Sequence, residues 1–216
     1  NNIDNVIIEA SSHGLHQKRL DNLKLKAGIF TNFSQDHLDY HKTMKAYLNA
    51  KLDLFSKLLP TNSHIICDES TKQYKNLKNI SKKRNLRLLN ISKKIYQIKE
   101  FPFTLVGTFQ IKNLSMAILA AKLCNLSDKK IYKTLKNIKN VNGRLNLTKK
   151  YPNNIRVFID YAHTPEALRE VLKSLKDAYN NNISLVFGCG GDRDFKKRPL
   201  MAKIAKTFCK KIYVTD

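Results

Sequence analysis

Short apolar runs alternate with helical patterns along the chain, and this alternation limits the possible folds more than any other feature of the sequence. The runs at 6–9, 27–31 and 63–67 are typical of strands buried on both faces of a parallel sheet. Between the last two runs, residues 43–59 place apolar side chains at three- and four-residue steps, which predicts a helix that ends before Pro60. The alternation therefore indicates an α/β fold.

The same alternation starts again after Asn142-Gly143. It predicts strands at 155–160, 183–188 and 212–215 and helices at 165–178 and 199–209. This order is that of a right-handed, parallel, Rossmann-like half-sheet.

The segment between these two patterns separates them. Helices are predicted at 113–124 and 128–138, whereas 71–102 is weakly patterned and predicts mixed strand and loop. We place a domain boundary near Asn140–Asn142, so that one domain covers 1–141 and the second covers 142–216.

The net charge of +23, from 40 Lys and Arg against 17 Asp and Glu, raises the question of a nucleic-acid partner. The lysines are spread over nearly every segment and accompany many Asn and Ile residues, a mixture that a strongly AT-biased genome produces without selection for a partner. The basic runs are short, and none alternates with aromatic residues as a base-stacking surface would. We therefore expect no nucleic-acid partner and keep a basic nucleic-acid-binding module as an alternative.

The sequence predicts neither a membrane span nor a disulfide framework. Its longest apolar stretch, 115–123, is far shorter than the roughly 20 residues that a membrane helix needs. The 4 cysteines are widely separated, which is typical of a reducing compartment. We expect a cytoplasmic protein that does not contact a membrane. The chain begins without an initiator Met, and we expect it to be an interior piece of a longer polypeptide.

Polar clusters follow the predicted strands at four points. In parallel sheets ligands bind beyond the carboxyl ends of the strands, so the loops after Glu9, Thr31, Asp160 and Gly188 are the candidate sites. The first two loops mix oxygen ligands with imidazoles, which suits Mg²⁺ or Mn²⁺ better than zinc. Each of these residues could instead serve as a helix cap or turn former.

The last two loops suit anions. Asp160 and His163 lie just before a helix N-terminus, which favours negative charge, and the loop from Gly188 to Asp194 is rich in glycine and carries an Arg fork. The P-loop pattern G-x-x-x-x-G-K-[ST] occurs nowhere in the chain. If the protein hydrolyses ATP, its phosphate cradle lies outside these residues.

Taken together, four segments resemble the Mur ligase family over nearly the whole chain. One such segment is weak evidence, but four in the family's order and at compatible spacing are specific. The resemblance is strongest to the family's tripeptide synthetases. The segments are Glu9-Ala10-Ser11-Ser12-His13-Gly14-Leu15 with Gln17 and Arg19, Phe30-Thr31-Asn32 with Asp36-His37-Leu38-Asp39-Tyr40-His41, Asp160-Tyr161-Ala162-His163-Thr164-Pro165, and Phe187-Gly188-Cys189-Gly190-Gly191-Asp192-Arg193-Asp194 with Lys197-Arg198-Pro199.

The resemblance implies an ATP-dependent, ADP-forming amide ligase of peptidoglycan biosynthesis. ATP would phosphorylate the terminal carboxylate of UDP-N-acetylmuramoyl-L-alanyl-D-glutamate, and the amine of a diamino acid would then attack the acyl phosphate. We expect that amino acid to be meso-diaminopimelate and the protein to be a monomer. The chain would supply part of a central P-loop-type ATPase-like domain, without its P-loop, and the first half of a Rossmann-like C-terminal domain.

The resemblance also assigns roles to single residues. Glu9 and His37 match the family's Mg²⁺ ligands, and Lys51 matches the lysine that the family carbamylates (N6-carboxylates), although its sequence context alone suggests an exposed helix lysine. Lys51 and His37 are the expected catalytic residues. The other matches are Ser11, Gln17 and Arg19 for the muramoyl-dipeptide substrate, Asn113, Arg144, Asp160 and His163 for the nucleotide, and Arg193 for the incoming amino acid.

The chain departs from the family pattern at three positions. Gln110 stands where the family has Asn, Ala10 where it has Val, and Lys196 where it has Gly. Two further alternatives stay open. One is a catalytically inactive fragment or decaying gene product. The other is folylpolyglutamate synthetase, which shares the ATP chemistry and the lysine carbamate but lacks the Ser-Ser-His-Gly-Leu stretch.

Overall fold

The computed structural model describes residues 3, 5–91, 105–189 and 194–215. The chain forms two compact units. Unit 1 comprises 1–33, 40–98 and 112–133, and unit 2 comprises 34–39, 99–111 and 134–216. The segment 34–39 therefore packs with unit 2, although the residues on either side of it pack with unit 1.

Unit 1 contains a three-stranded parallel sheet in the order β1-β2-β3. Phe30 pairs with Cys67, which pairs with Asn90, so the carboxyl ends of the strands are level. The central strand is fully buried at Ile65 and Ile66. The strands are β1 (Ala27–Phe30), β2 (His64–Cys67) and β3 (Arg87–Asn90).

Helices cover both faces of this sheet. On one face Phe55 and Leu77 pack in the same cluster as Ile65, and on the other Met116 packs in a cluster with Ile66. The helices are α1 (Ser12–His16), α2 (Leu38–His41), α3 (Met44–Asp53), α4 (Tyr74–Lys83), α5 (Thr108–Leu123) and α6 (Asp128–Leu135). The first two residues of α2, the first four of α5 and the last two of α6 belong to unit 2.

The helix predicted at 43–59 is confirmed, but its last part is a π-helical turn. Thr43 caps α3, and the α-helix gives way to the π turn at Leu54–Leu58. The N–H of Leu59 donates to the carbonyl of Leu54 at 3.0 Å, a five-residue step. The wider turn lets both Phe55 and Leu59 reach the core, where they are almost fully buried.

One prediction for unit 1 is wrong, and a second is wrong in part. Residues 6–9 form no strand in the sheets among the described residues, and Ile7 is 92% exposed. An apolar run becomes a strand only when a neighbouring strand pairs with it. The segment predicted as mixed strand and loop contains the ten-residue helix α4 as well as β3. Its remainder, 92–102, lies outside the described residues.

Unit 2 contains two small sheets within its described part. The elements are β4 (Asn146–Lys150), β5 (Arg156–Ile159), α7 (Pro165–Tyr179), β6 (Ile183–Gly188), α8 (Lys197–Phe208) and β7 (Cys209–Thr215). The strands β6 and β7 are parallel and are joined through α8, and α7 packs on α8 through Leu172, Met201 and Ile204. Thr164 caps α7 as predicted, since its hydroxyl accepts from the N–H of Ala167 at 3.2 Å.

The strand predicted at 155–160 is present as β5, but its pairing differs from the prediction. It pairs antiparallel with β4, which was not predicted, rather than joining β6 and β7. Asn153 and Asn154 both have left-handed backbones, with φ of 61° and 60°. These two residues reverse the chain between β4 and β5 and so produce a hairpin.

The longest helix in the described part is α5, with 16 residues. No described helix is long and apolar enough to cross a membrane. All four cysteines carry free thiols, and Cys67 is fully buried.

Two glycines with left-handed backbones offer a matched test of the packing in unit 2. Gly107 has φ of +96°, and a Cβ there would lie 2.7 Å from the Cβ of Ser174. Gly143 has φ of +71°, and a Cβ there would meet nothing within 4 Å. Gly143→Ala should lower the free energy of unfolding by about 1–2 kcal/mol, the cost of the backbone alone. Gly107→Ala should cost about 1–3 kcal/mol more, because the methyl group overpacks α7.

Urea unfolding of the two variants measures this difference. Equal losses would show that Ser174 moves aside without cost.

Candidate functional site

The first predicted loop forms the short helix α1, which packs against α3. Ser11 caps this helix, because its hydroxyl accepts from the N–H of Gly14 at 3.1 Å. Ser12 and Leu15 are buried, so the helix is held by its own core contacts. Glu9, Ser11 and Arg19 are exposed.

A buried contact joins α1 to the aromatic residues around α3. The Oγ of Ser12 lies 3.0 Å from Nε2 of His41, and both residues are buried. The His41 ring stacks on Tyr47, with 5.3 Å between the ring centroids. The Nζ of Lys51, one helical turn after Tyr47, lies 5.5 Å from the centre of that ring. Lys51 is half-buried, so the interpretation as an exposed helix lysine is wrong.

Tyr40 connects two further side chains of this region. Its hydroxyl lies 2.9 Å from Nδ1 of His16 and accepts from Nε2 of Gln17 at 3.3 Å. The predicted substrate residue Gln17 is therefore oriented by a residue of the second predicted loop.

The predicted nucleotide residue Asn113 is exposed on α5. The residue before it, Lys112, forms an ion pair with Asp68 at the end of β2. Burial alone would raise the pKa of Asp68, but hydrogen bonds from Lys112 and Ser70 bring that pKa below its ordinary value. Sequence reasoning missed Asp68. Its position after a buried strand is the only sequence signal that could have indicated it.

In unit 2, the half-buried carboxylate of Asp36 has several hydrogen-bonding and charged partners. The Nε2 of His163 lies 3.1 Å from Oδ2, the backbone N–H of His37 donates to Oδ1 at 2.9 Å, and Nζ of Lys197 lies 3.9 Å from Oδ1. Burial opposes ionisation of Asp36, but these contacts, led by the one to His163, lower its pKa to about 2. The hydrogen bond to Asp36 also raises the pKa of His163 above its ordinary value, against the effect of burial.

The predicted metal ligand His37 has an unusual backbone. Its φ is +54°, in the left-handed region that residues other than glycine seldom adopt. Its Nε2 lies 3.6 Å from Oδ2 of Asp36. The carboxylate thus contacts both the backbone and the ring of His37.

Asp160 and Arg144 lie close together in unit 2. The carboxylate of Asp160 accepts from the N–H of Leu145 at 2.6 Å and of Ala162 at 2.7 Å. Burial raises the pKa of Asp160, and these N–H groups offset the rise only in part. The guanidinium of Arg144 lies 5.1 Å from the centre of the Tyr161 ring.

The predicted metal ligands are divided between the units. Glu9 and Lys51 belong to unit 1, and His37 belongs to unit 2. Within the described ranges, no three His, Cys, Asp or Glu side chains form a group that could hold a metal ion. Arg193 lies outside the described residues.

The contact between His163 and Asp36 predicts a specific titration. His163 should bind its proton more tightly in the folded chain, so the pair stabilises the fold at low pH and loses this contribution as the pH rises through the raised pKa. Asp36→Asn should lower the pKa of His163, because the carboxylate is the main cause of its rise. Proton NMR of the histidine rings measures this shift. Asp39→Asn, at an exposed position in the same segment, is the control. A His163 titration that Asp36→Asn leaves unchanged would contradict the assignment.

Models of known protein families match most of the chain. The model for the Mur ligase middle domain matches residues 1–96, and the model for the Mur ligase, glutamate ligase domain matches residues 143–216. The chain is 38% identical over 239 aligned residues to a UDP-N-acetylmuramoyl-L-alanyl-D-glutamate--2,6-diaminopimelate ligase of Rickettsia bellii (strain RML369-C), covering 100% of this chain and 50% of the relative. It is 36% identical to a ligase of the same name from Brucella melitensis biotype 1, covering 99% of this chain and 48% of that protein. The chain spans about half the length of the curated relatives it matches.

Solved structures of related proteins share the fold of this chain. A structure of a UDP-N-acetylmuramoyl-L-alanyl-D-glutamate--2,6-diaminopimelate ligase has a TM-score of 0.62 and 29% identity, covering 96% of this chain and 47% of that one. An FPGS-AMPPCP-folate complex has a TM-score of 0.73 at 16% identity, covering 90% of this chain and 52% of that one, which shows a shared fold alone. The expected α/β fold is thus confirmed. Since the models of two Mur ligase domains together match most of the chain, the chain belongs to the Mur ligase family.

Proposed function

We propose that the protein to which this chain belongs joins meso-diaminopimelate to UDP-N-acetylmuramoyl-L-alanyl-D-glutamate in an ATP-dependent step of peptidoglycan biosynthesis. The observation that carries the proposal is the 38% identity to a ligase of that name along 100% of this chain. The reaction consists of two group transfers. The γ-phosphoryl group of ATP moves to a substrate carboxylate and leaves ADP, and the amine of the amino acid then displaces phosphate to form the amide.

For the nucleotide we propose Asn113, Arg144, Asp160 and His163. Arg144 and Asp160 support this role because Asp160 holds the backbone beside Arg144 through the N–H of Leu145. His163 is half-exposed and lies just before the N-terminus of α7, whose free N–H groups favour an anionic ligand. The four residues would bind and orient ATP rather than react with it.

For the muramoyl-dipeptide we propose Ser11, Gln17 and Arg19, all of which are exposed around α1. The cap of Ser11 and the contact of Gln17 with Tyr40 fix this helix and its surroundings in advance of binding. Arg193 would bind the carboxylate of the incoming amino acid, because a guanidinium can donate two parallel hydrogen bonds to it.

For Mg²⁺ we propose Glu9, His37 and a carbamylated Lys51. A carboxylate and an imidazole suit the ion, but an unmodified lysine ammonium would repel it, so the donor set fits only after Lys51 has become an anionic carbamate. Metal-binding histidines commonly contact a second-layer carboxylate, and Asp36 lies in that position beside His37. When bound, Mg²⁺ would neutralise the negative charge that develops during phosphoryl transfer.

The direct test is ADP release by the full-length protein. It should depend on UDP-N-acetylmuramoyl-L-alanyl-D-glutamate, ATP and Mg²⁺, and on meso-diaminopimelate in preference to L-lysine supplied in parallel. Release that requires L-lysine would change the amino acid but keep the ligase. No release from a folded protein would favour the inactive or nucleic-acid-binding alternative.

Replacing the residues proposed for the metal should remove activity without unfolding the protein. Lys51→Ala and His37→Ala should each reduce turnover by at least about 100-fold, since each loses a group that holds Mg²⁺ or orients its ligands. The control is Lys57→Ala, which loses only an exposed ion pair with Asp53 near the end of the same helix. Lys57→Ala should retain activity. Wild-type turnover in either of the first two variants would contradict the metal assignment.

The carbamate can be observed separately. Full-length protein incubated with ¹³C-bicarbonate should show a carbamate ¹³C resonance that Lys51→Ala removes and Lys57→Ala retains. A resonance that persists in Lys51→Ala would place the modification elsewhere.

A further inference from the structure

The carboxylate of Asp68 lies at the carboxyl end of the central strand of unit 1, where its side chain is only 10% exposed. Its Oδ1 accepts from the backbone N–H of Ser70 at 2.9 Å, and its Oδ2 accepts from the Ser70 hydroxyl at 2.7 Å. The Nζ of Lys112 contacts the same Oδ2 and also lies 2.9 Å from the hydroxyl of Ser70. Asp68 is thus a buried anion for which Lys112 supplies the positive charge.

The loop that carries Asp68 is itself fixed to the sheet. Asn90, at the end of β3, accepts from the N–H of Glu69 at 2.9 Å and donates to the carboxylate of Glu69 at 2.7 Å. The loop after β2 is therefore tied to the neighbouring strand. Lys112 therefore contacts a loop that is hydrogen-bonded to the sheet.

The helix α5 is attached to unit 1 in two ways. Its middle and end pack on the sheet through Met116, Leu119 and Leu123, which lie in the apolar cluster with Ile66. These contacts begin only after Asn113, which is exposed. The ion pair with Asp68 adds a polar attachment at Lys112, the residue directly before Asn113.

We propose that Asp68 is a positioning residue for nucleotide binding and acts through Lys112 to fix the part of α5 that presents Asn113. The inference rests on the proposed nucleotide role of Asn113. Neither side chain is assigned a contact with the nucleotide, because the charge of Lys112 is already neutralised by Asp68. The pair affects the ligand only by limiting the positions that Asn113 can adopt.

The test is the Kd of the full-length protein for a fluorescent ATP analogue, measured beside the melting temperature. Lys112→Met and Asp68→Asn should each raise this Kd by about 5- to 20-fold, within the range by which residues that do not touch a ligand change its binding. The double variant should have a Kd no higher than the higher of the two single-variant values, because the two residues act through one contact. Lys112→Arg should restore most of the affinity. The control Lys122→Met breaks an exposed ion pair with Asp128 at the other end of α5 and should leave the Kd unchanged.

The outcomes separate this inference from the proposed function. If Asn113→Ala leaves the Kd unchanged, the proposed nucleotide role itself fails. If Asn113→Ala weakens binding but Lys112→Met does not, the nucleotide role stands and the positioning role of Asp68 is overturned. A loss in Lys112→Met without any loss in Asp68→Asn also overturns it, because Lys112 would then act by its own charge. A fall in melting temperature with unchanged Kd would show that the pair only stabilises the fold.

Discussion

Burial of β2 on both faces is the constraint on which unit 1 depends. Ile65 faces the cluster that contains Phe55 and Leu77, and Ile66 faces the cluster that contains Met116. A strand with two apolar faces must be covered by helices on each side, and its neighbours must run parallel to it to allow the helical connections. The level carboxyl ends of the three strands follow from that arrangement. Asp68, directly after β2, therefore lies at the edge of the sheet where it meets Lys112 of α5.

Two partly buried carboxylates in unit 2 have pKa values shifted in opposite directions by their surroundings. Asp36 is held by His163, the N–H of His37 and the more distant Lys197, and its pKa falls to about 2. Asp160 receives two short hydrogen bonds from backbone N–H groups, yet burial still raises its pKa. The first carboxylate remains charged over the whole physiological range and can organise cations. The second is easier to protonate and serves mainly to fix the backbone beside Arg144.

The sequence predicted those features that depend on local pattern. The helices α3 and α7, the strand β6 and the cap at Thr164 each follow from a periodicity or a capping residue within one segment. The features that it did not predict depend on a distant partner. The run at 6–9 is apolar enough for a strand, but pairing decides whether it becomes one. The strand β5 was predicted, whereas its partner β4 was not, because the sequence of β4 is polar and alternates little.

The site shows the same limit. Asp36 lies inside a recognised motif, but its contact with His163 is 127 positions away in the sequence, so no local pattern shows that the two meet. Asp68 lies outside every segment that resembles the family, and its partner Lys112 is 44 positions away, so no local pattern shows this ion pair either. The roles of Lys51, Asn113 and the other matched residues came from the resemblance and stay predictions, because a side chain's position alone does not reveal its ligand.

Asparagine occupies left-handed backbone positions at many points of the described chain, and not only between β4 and β5. Among the described residues, seven of the eleven non-glycine residues with positive φ are asparagines: Asn22, Asn62, Asn85, Asn125, Asn153, Asn154 and Asn180. Asparagine tolerates the left-handed region better than most residues with a side chain. Asparagine therefore takes at these turns the position that glycine often holds, and the chain, which has only 7 glycines, forms them without glycine.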